Sequence, residues 1–119
     1  MAKAYLVTLQ NAAAATGNGT AMLATGYSAV AFQVSGTFVA TVTFEGTIDN
    51  SNWVSVRATN IATGDVATTA TAAGVFVASI AGLGQVRARV TWTSGTSVTV
   101  KGQAIETAPL SLVSALLTE

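Results

Sequence analysis

Apolar and polar residues alternate with a period of two through most of the chain. Val30, Phe32 and Val34 alternate with Ala29, Ala31 and Gln33, and Phe38, Ala40, Val42 and Phe44 alternate with Val39, Thr41, Thr43 and Glu45. Val54 and Val56 follow Trp53 in the same manner; Val86, Ala88, Val90 and Trp92 alternate with Arg87, Arg89 and Thr91, and Val98 and Val100 with Thr99 and Lys101. This is the period of a β-strand with one buried and one wetter face. The charges support the register. Glu45, Arg87, Arg89 and Lys101 stand on the opposite parity from the large apolar residues; Arg57 opposes Val54 and Val56 but shares its parity with Trp53. Ala4 to Leu9 adds an N-terminal strand.

The punctuation between these runs is that of turns. Ser35–Gly36, Asp49–Asn50–Ser51–Asn52, Thr63–Gly64–Asp65, Gly82–Leu83–Gly84 and Ser94–Gly95 separate them, and residues 11–20, rich in Ala and Gly, are expected as a mobile loop or arm. Strands recurring at such short intervals predict an all-β fold, an antiparallel β-sandwich or jelly roll of seven or eight strands within residues 1–108.

The last segment differs. At 100° per residue Leu110, Leu112, Val113, Leu116 and Leu117 fall within an arc of about 160°, and Ser111, Ser114 and Thr118 fall outside it. Pro109 suits the first turn of a helix. Residues 109–119 are therefore expected as a short apolar C-terminal helix or arm. A helix of this length is marginal alone, so it needs a surface to dock on, in its own subunit or a neighbour.

Composition narrows the function. The 119 residues include no cysteine and no histidine. Disulfides, thiolate metal sites and Ser–His or Cys–His nucleophiles are thereby excluded, as is the commonest general acid/base. Charged residues make up 8% of the chain and apolar residues 50%, with a net charge of zero. An ordinary soluble domain carries roughly 25% charged residues. Either a membrane or other subunits would cover such a surface. The longest apolar stretch, Ala72 to Leu83, is interrupted by Gly74, Ser79 and Gly82 and falls short of the ~20 residues of a spanning helix. Assembly is the expectation, with no membrane partner. No basic patch points to nucleic acid.

Few residues invite chemistry. Asp49, Asn50 and Asn52 could offer oxygens to a cation, but lack the Gly and bidentate Glu of a calcium loop; a turn closed by Asx side chains accounts for them. Glu45 with Asp49 is a poor glycosidase pair, and Glu45 suits a cross-strand arginine better. Thr16–Gly17–Asn18–Gly19 lacks the Lys-Ser/Thr of a phosphate loop. The expectation is no enzyme, with no catalytic, cofactor or metal residues. Arg87 and Arg89, on one strand face, are candidates for subunit contacts, as are Leu110, Leu112, Val113, Leu116 and Leu117. Trp92 continues its strand's core alternation. Trp53, with Asp49 and Asn52, forms the alternative, a platform for sugar or peptide.

The stretch from Gly26 to Gly102 contains Gly26-Tyr-Ser-Ala-Val-Ala-Phe-Gln-Val-Ser-Gly-Thr-Phe, Ala40-Thr-Val-Thr-Phe-Glu-Gly-Thr-Ile-Asp-Asn-Ser-Asn-Trp-Val, Val86-Arg-Ala-Arg-Val and Gly95-Thr-Ser-Val-Thr-Val-Lys-Gly. It resembles the small β-sandwich structural proteins of tailed bacteriophages, and the resemblance covers about two thirds of the chain. It implies a capsid decoration (cement) protein or a tail or neck component, located on the virion after synthesis in the bacterial cytoplasm. The implied partners are other copies of the chain, a trimer being favoured, and the major capsid protein. The alternative function is a tail-associated carbohydrate- or receptor-binding module.

Overall fold

The computed structural model describes residues 4–106, and these form β-strands and loops without a helix. Nine strands run in chain order as β1 (Ala4–Ala13), β2 (Met22–Leu23), β3 (Ala29–Thr47), β4 (Val54–Ser55), β5 (Ala58–Asn60), β6 (Val66–Ala67), β7 (Thr69–Ala70), β8 (Gly74–Ser79) and β9 (Gln85–Ile105). All pairings are antiparallel. The all-β expectation holds. The predicted C-terminal helix or arm over 109–119 lies outside the described residues.

The frame is one long ribbon. β3 pairs with β9 along its whole length, from Ala29↔Ile105 to Thr47↔Gln85. Phe32 and Phe44 stand 12 positions apart on β3, about 40 Å along a straight strand. Their rings nevertheless stack with centroids 4.5 Å apart. The ribbon is therefore bent double, and its two arms face each other as the layers of a sandwich. One arm pairs residues 29–36 of β3 with 98–105 of β9, flanked by β1 beyond β9 and by β8, β5 and β6 beyond β3. The other pairs residues 40–47 with 85–92, flanked by β2 on the β9 side and by β4 and β7 on the β3 side.

The bend solves a parity problem. A single extra residue in one strand turns every later side chain to the other face. Here the β3–β9 register shifts twice, between Thr37 and Phe38 and between Val39 and Ala40. Thr96 and Thr93 of β9 are the residues passed over, so two bulges restore the parity that one would destroy. Even-numbered residues then face inward on both arms. Val30, Phe32, Val34, Val42, Phe44, Val86, Ala88, Val90, Val98, Val100 and Ala104 are all buried.

Ser35–Gly36 and Ser94–Gly95, expected as turns between separate strands, are instead the corner of two continuous strands. Gly36 (φ +118°) and Gly95 (φ +115°) both occupy backbone that L side chains rarely adopt, and a Cβ on Gly95 would lie 2.6 Å from the Cα of Phe38. Gly95→Ala is expected to cost about 2–3 kcal/mol. Gly17→Ala, where a Cβ meets nothing within 4 Å, should change stability by less than about 0.5 kcal/mol. Urea unfolding of the two variants tests this; equal midpoints would mean that the corner tolerates a side chain.

Residues 11–20, expected as a mobile loop or arm, extend β1 to Ala13 and then cross to the other layer, where Gly17 and Val90 exchange backbone hydrogen bonds of 3.0 and 2.9 Å. The buried Gln10 amide donates to the carbonyls of Gly17 (3.1 Å) and Ala88 (2.8 Å), tying β1 to the crossing.

Candidate functional site

The charged residues of the second arm converge. Glu45 and Arg87 are direct partners in the β3–β9 ladder, and Arg89 lies opposite Thr43, one diagonal away. Arg87 Nε donates to Glu45 Oε1 at 2.8 Å and Arg89 Nε to Oε2 at 3.1 Å. The Glu45 side chain is only 10% exposed, against 16% for Arg87 and 37% for Arg89. The Arg87 guanidinium also lies over the Trp53 ring, 4.0 Å from its centroid. Cross-strand pairing of Glu45 is thus as expected. That Trp53 would cover one of the two arginines was not visible in the sequence, because loop residues carry no periodicity to place them.

Asp49 faces its own turn. Its Oδ1 accepts from the amides of Asn52 (2.8 Å) and Ser51 (2.9 Å) and from the Thr47 hydroxyl (3.1 Å), and its Oδ2 from the Asn52 side chain (2.6 Å). The Asn52 and Ser51 amides hold its carboxyl well below the usual carboxylate range. Asp49, Asn52 and Trp53 therefore share one turn, but Asp49 and Asn52 bind each other and an arginine covers a face of Trp53. Both oxygens of Glu45 are engaged as well, so Glu45 and Asp49 do not oppose each other across a cleft. Among the described residues no cluster of acidic side chains could hold a metal ion. Trp92 packs partly buried against the core.

The outer face of the first arm is different. In register across β1, β9, β3 and β8 lie Leu6, Gln103, Ala31 and Val77, and next to them Thr8, Lys101, Gln33 and Val75. Leu6 is 59% and Val77 37% exposed. A hollow of about 300 Å³ is lined by Leu6, Ala31, Gln33, Val75, Lys101 and Gln103, and one of about 180 Å³ by residues including Ala31, Val77, Gln103 and Ile105. Lys101 is the charged residue in the lining of the larger hollow. Leu23, Val39, Ile48, Val54, Ile61 and Val66 are also exposed elsewhere on the surface. Leu110, Leu112, Val113, Leu116 and Leu117 lie outside the described residues.

Two solved structures share this architecture. The SPBc2 prophage-derived protein YomS superposes with a TM-score of 0.82 at 20% identity, covering 88% of this chain and 95% of that one. The PBSX exported protein XepA superposes with a TM-score of 0.82 at 19% identity, covering 87% of this chain but 38% of that one. At these identities the likeness is one of fold. No curated protein matches the chain. Residues 3–104 match the family model described as XepA, and the chain belongs to the XepA family.

Proposed function

We propose that this protein is a non-catalytic structural component of a phage or prophage that works by burying apolar surface against other protein subunits. The carrying observation is the surface itself. Among the described residues eight large apolar side chains, from Val77 at 37% to Ile48 at 77%, are exposed on a chain with 8% charged residues. Scattered exposed apolar residues are ordinary, but with so few charges beside them they favour association over a free monomer. The prophage origin of YomS supports the phage assignment. In its specific form the reading is a decoration protein: copies associate, a trimer being favoured, and bind the capsid surface, stabilising the shell by mass action. Leu110, Leu112, Val113, Leu116 and Leu117 anchor the contact between subunits, with Arg87 and Arg89 as further candidates.

Light-scattering chromatography of the full chain and of a chain ending at Ala108 tests the assembly. The full chain is expected to be a closed oligomer. The shortened chain is expected to lose mass while keeping its β circular dichroism and cooperative melting. A full chain that stays monomeric at ~100 µM would overturn the reading. Co-sedimentation with capsids of the encoding phage tests the decoration role.

A further inference from the structure

We propose that the outer face of the first arm is the receptor for the C-terminal segment, residues 109–119, of a second copy of the chain. The inference rests on the assembly reading above and names the contact.

The face has the shape for it. Leu6 on β1 and Val77 on β8 stand as walls, and Ala31 and Gln103 between them form the floor. The walls are three strand spacings apart, ~14 Å, and a helix with its side chains is ~10–12 Å across. From Ile105 to Lys101 the trough runs four residues, ~14 Å along the strand. Residues 109–119 as a helix span ~16 Å. The apolar arc from Leu110 to Leu117 supplies the matching surface. Charge agrees as well: Lys101 is the charged residue lining the larger hollow, and Glu119 is the one charge in residues 107–119.

The linker assigns the segment to a neighbour. Ser28 N donates to the Ile105 carbonyl at 2.9 Å and Ser28 Oγ approaches the Glu106 carbonyl at 3.5 Å. The chain thus remains tied to the end of the sheet as far as Glu106. Only Thr107 and Ala108 precede Pro109, and two residues span at most ~7 Å. Proline also disfavours helical backbone at the residue before it. Docking at home would require these two residues to reverse the chain and lift a helix axis ~10 Å above the sheet, roughly the spacing of packed layers. A neighbouring copy has no such constraint.

The absence of cysteine makes a clean test. Full-length Val77→Cys and full-length Leu116→Cys are mixed, oxidised mildly and digested for mass spectrometry, with the mass of the parent protein measured alongside. A disulfide joining positions 77 and 116 of different chains is expected, since bridging requires Cα atoms within ~7 Å. Leu6→Asp should weaken self-association at least tenfold while leaving the melting transition cooperative. An oligomeric parent that forms no 77–116 disulfide would overturn the docking contact and leave the assembly reading standing. A monomeric parent would overturn both. If a chain carrying both cysteines closes only an internal 77–116 bridge, the segment docks at home and the proposal fails.

Discussion

Phe44→Ala is expected to remove about 3–5 kcal/mol of folding free energy, enough to unfold much of a population of marginal stability. Phe44 is fully buried. Its ring stacks on Phe32 at 4.5 Å and meets Phe76 at 5.4 Å. Phe32 and Phe76 are register partners in the first arm, whereas Phe44 belongs to the second, so this ring is where the two layers touch. Phe44 is also flanked within its own layer: its amide donates to Thr68 and its carbonyl accepts from Val56. The surrounding backbone is held on both sides and can collapse little into a vacated space, which places the cost high in the usual range. Urea denaturation measures it. A loss below about 1.5 kcal/mol would mean that the layers close over the gap and that the aromatic contact does not hold the ribbon bent.

Glu45→Ala is the second large effect, expected at about 2–4 kcal/mol. The substitution leaves the Arg87 and Arg89 guanidiniums beside each other without their shared carboxylate. Arg87, with a 16% exposed side chain, carries most of the cost, and Arg89 at 37% can turn to water. The decisive comparison is Glu45→Leu combined with Arg87→Met, which removes both buried charges and should recover most of the loss. Replacing buried ionic groups by apolar ones of similar size is often neutral, whereas breaking the pair is not. If the double variant is no more stable than Glu45→Ala, then packing of the Glu45 side chain, and not its charge, is what matters there.

Glu45 also shows how far local pattern reaches. Its parity opposite Phe44 and the scarcity of charges point to a cross-strand arginine, and the structure supplies two. Asp49 likewise needs no tertiary information, because an Asx turn is closed by residues within three positions of it. Gln10 was missed. A polar residue within an apolar strand looks solvent-facing, and only the crossing at Gly17 gives its buried amide two carbonyls. Trp53 meets Arg87 within the second arm, from the other side of β3, a contact that nothing near either residue in the chain announces.

The strand stretches of β1, β3 and β9, the inward faces of β3 and β9 and the lack of His and Cys were legible in the sequence alone, whereas β8 and the short β2, β6 and β7 were not. Side-chain alternation is a local consequence of the pleat, and composition needs no geometry. The tertiary structure decided that β3 and β9 each continue through a Ser–Gly pair and that both arms keep the same face inward. Ser–Gly is compatible equally with a turn and with a corner. Which one forms depends on whether Val98 and Val100, past the bend on β9, find their partners Gly36 and Val34 on β3, and those partners lie some 60 positions away in the chain.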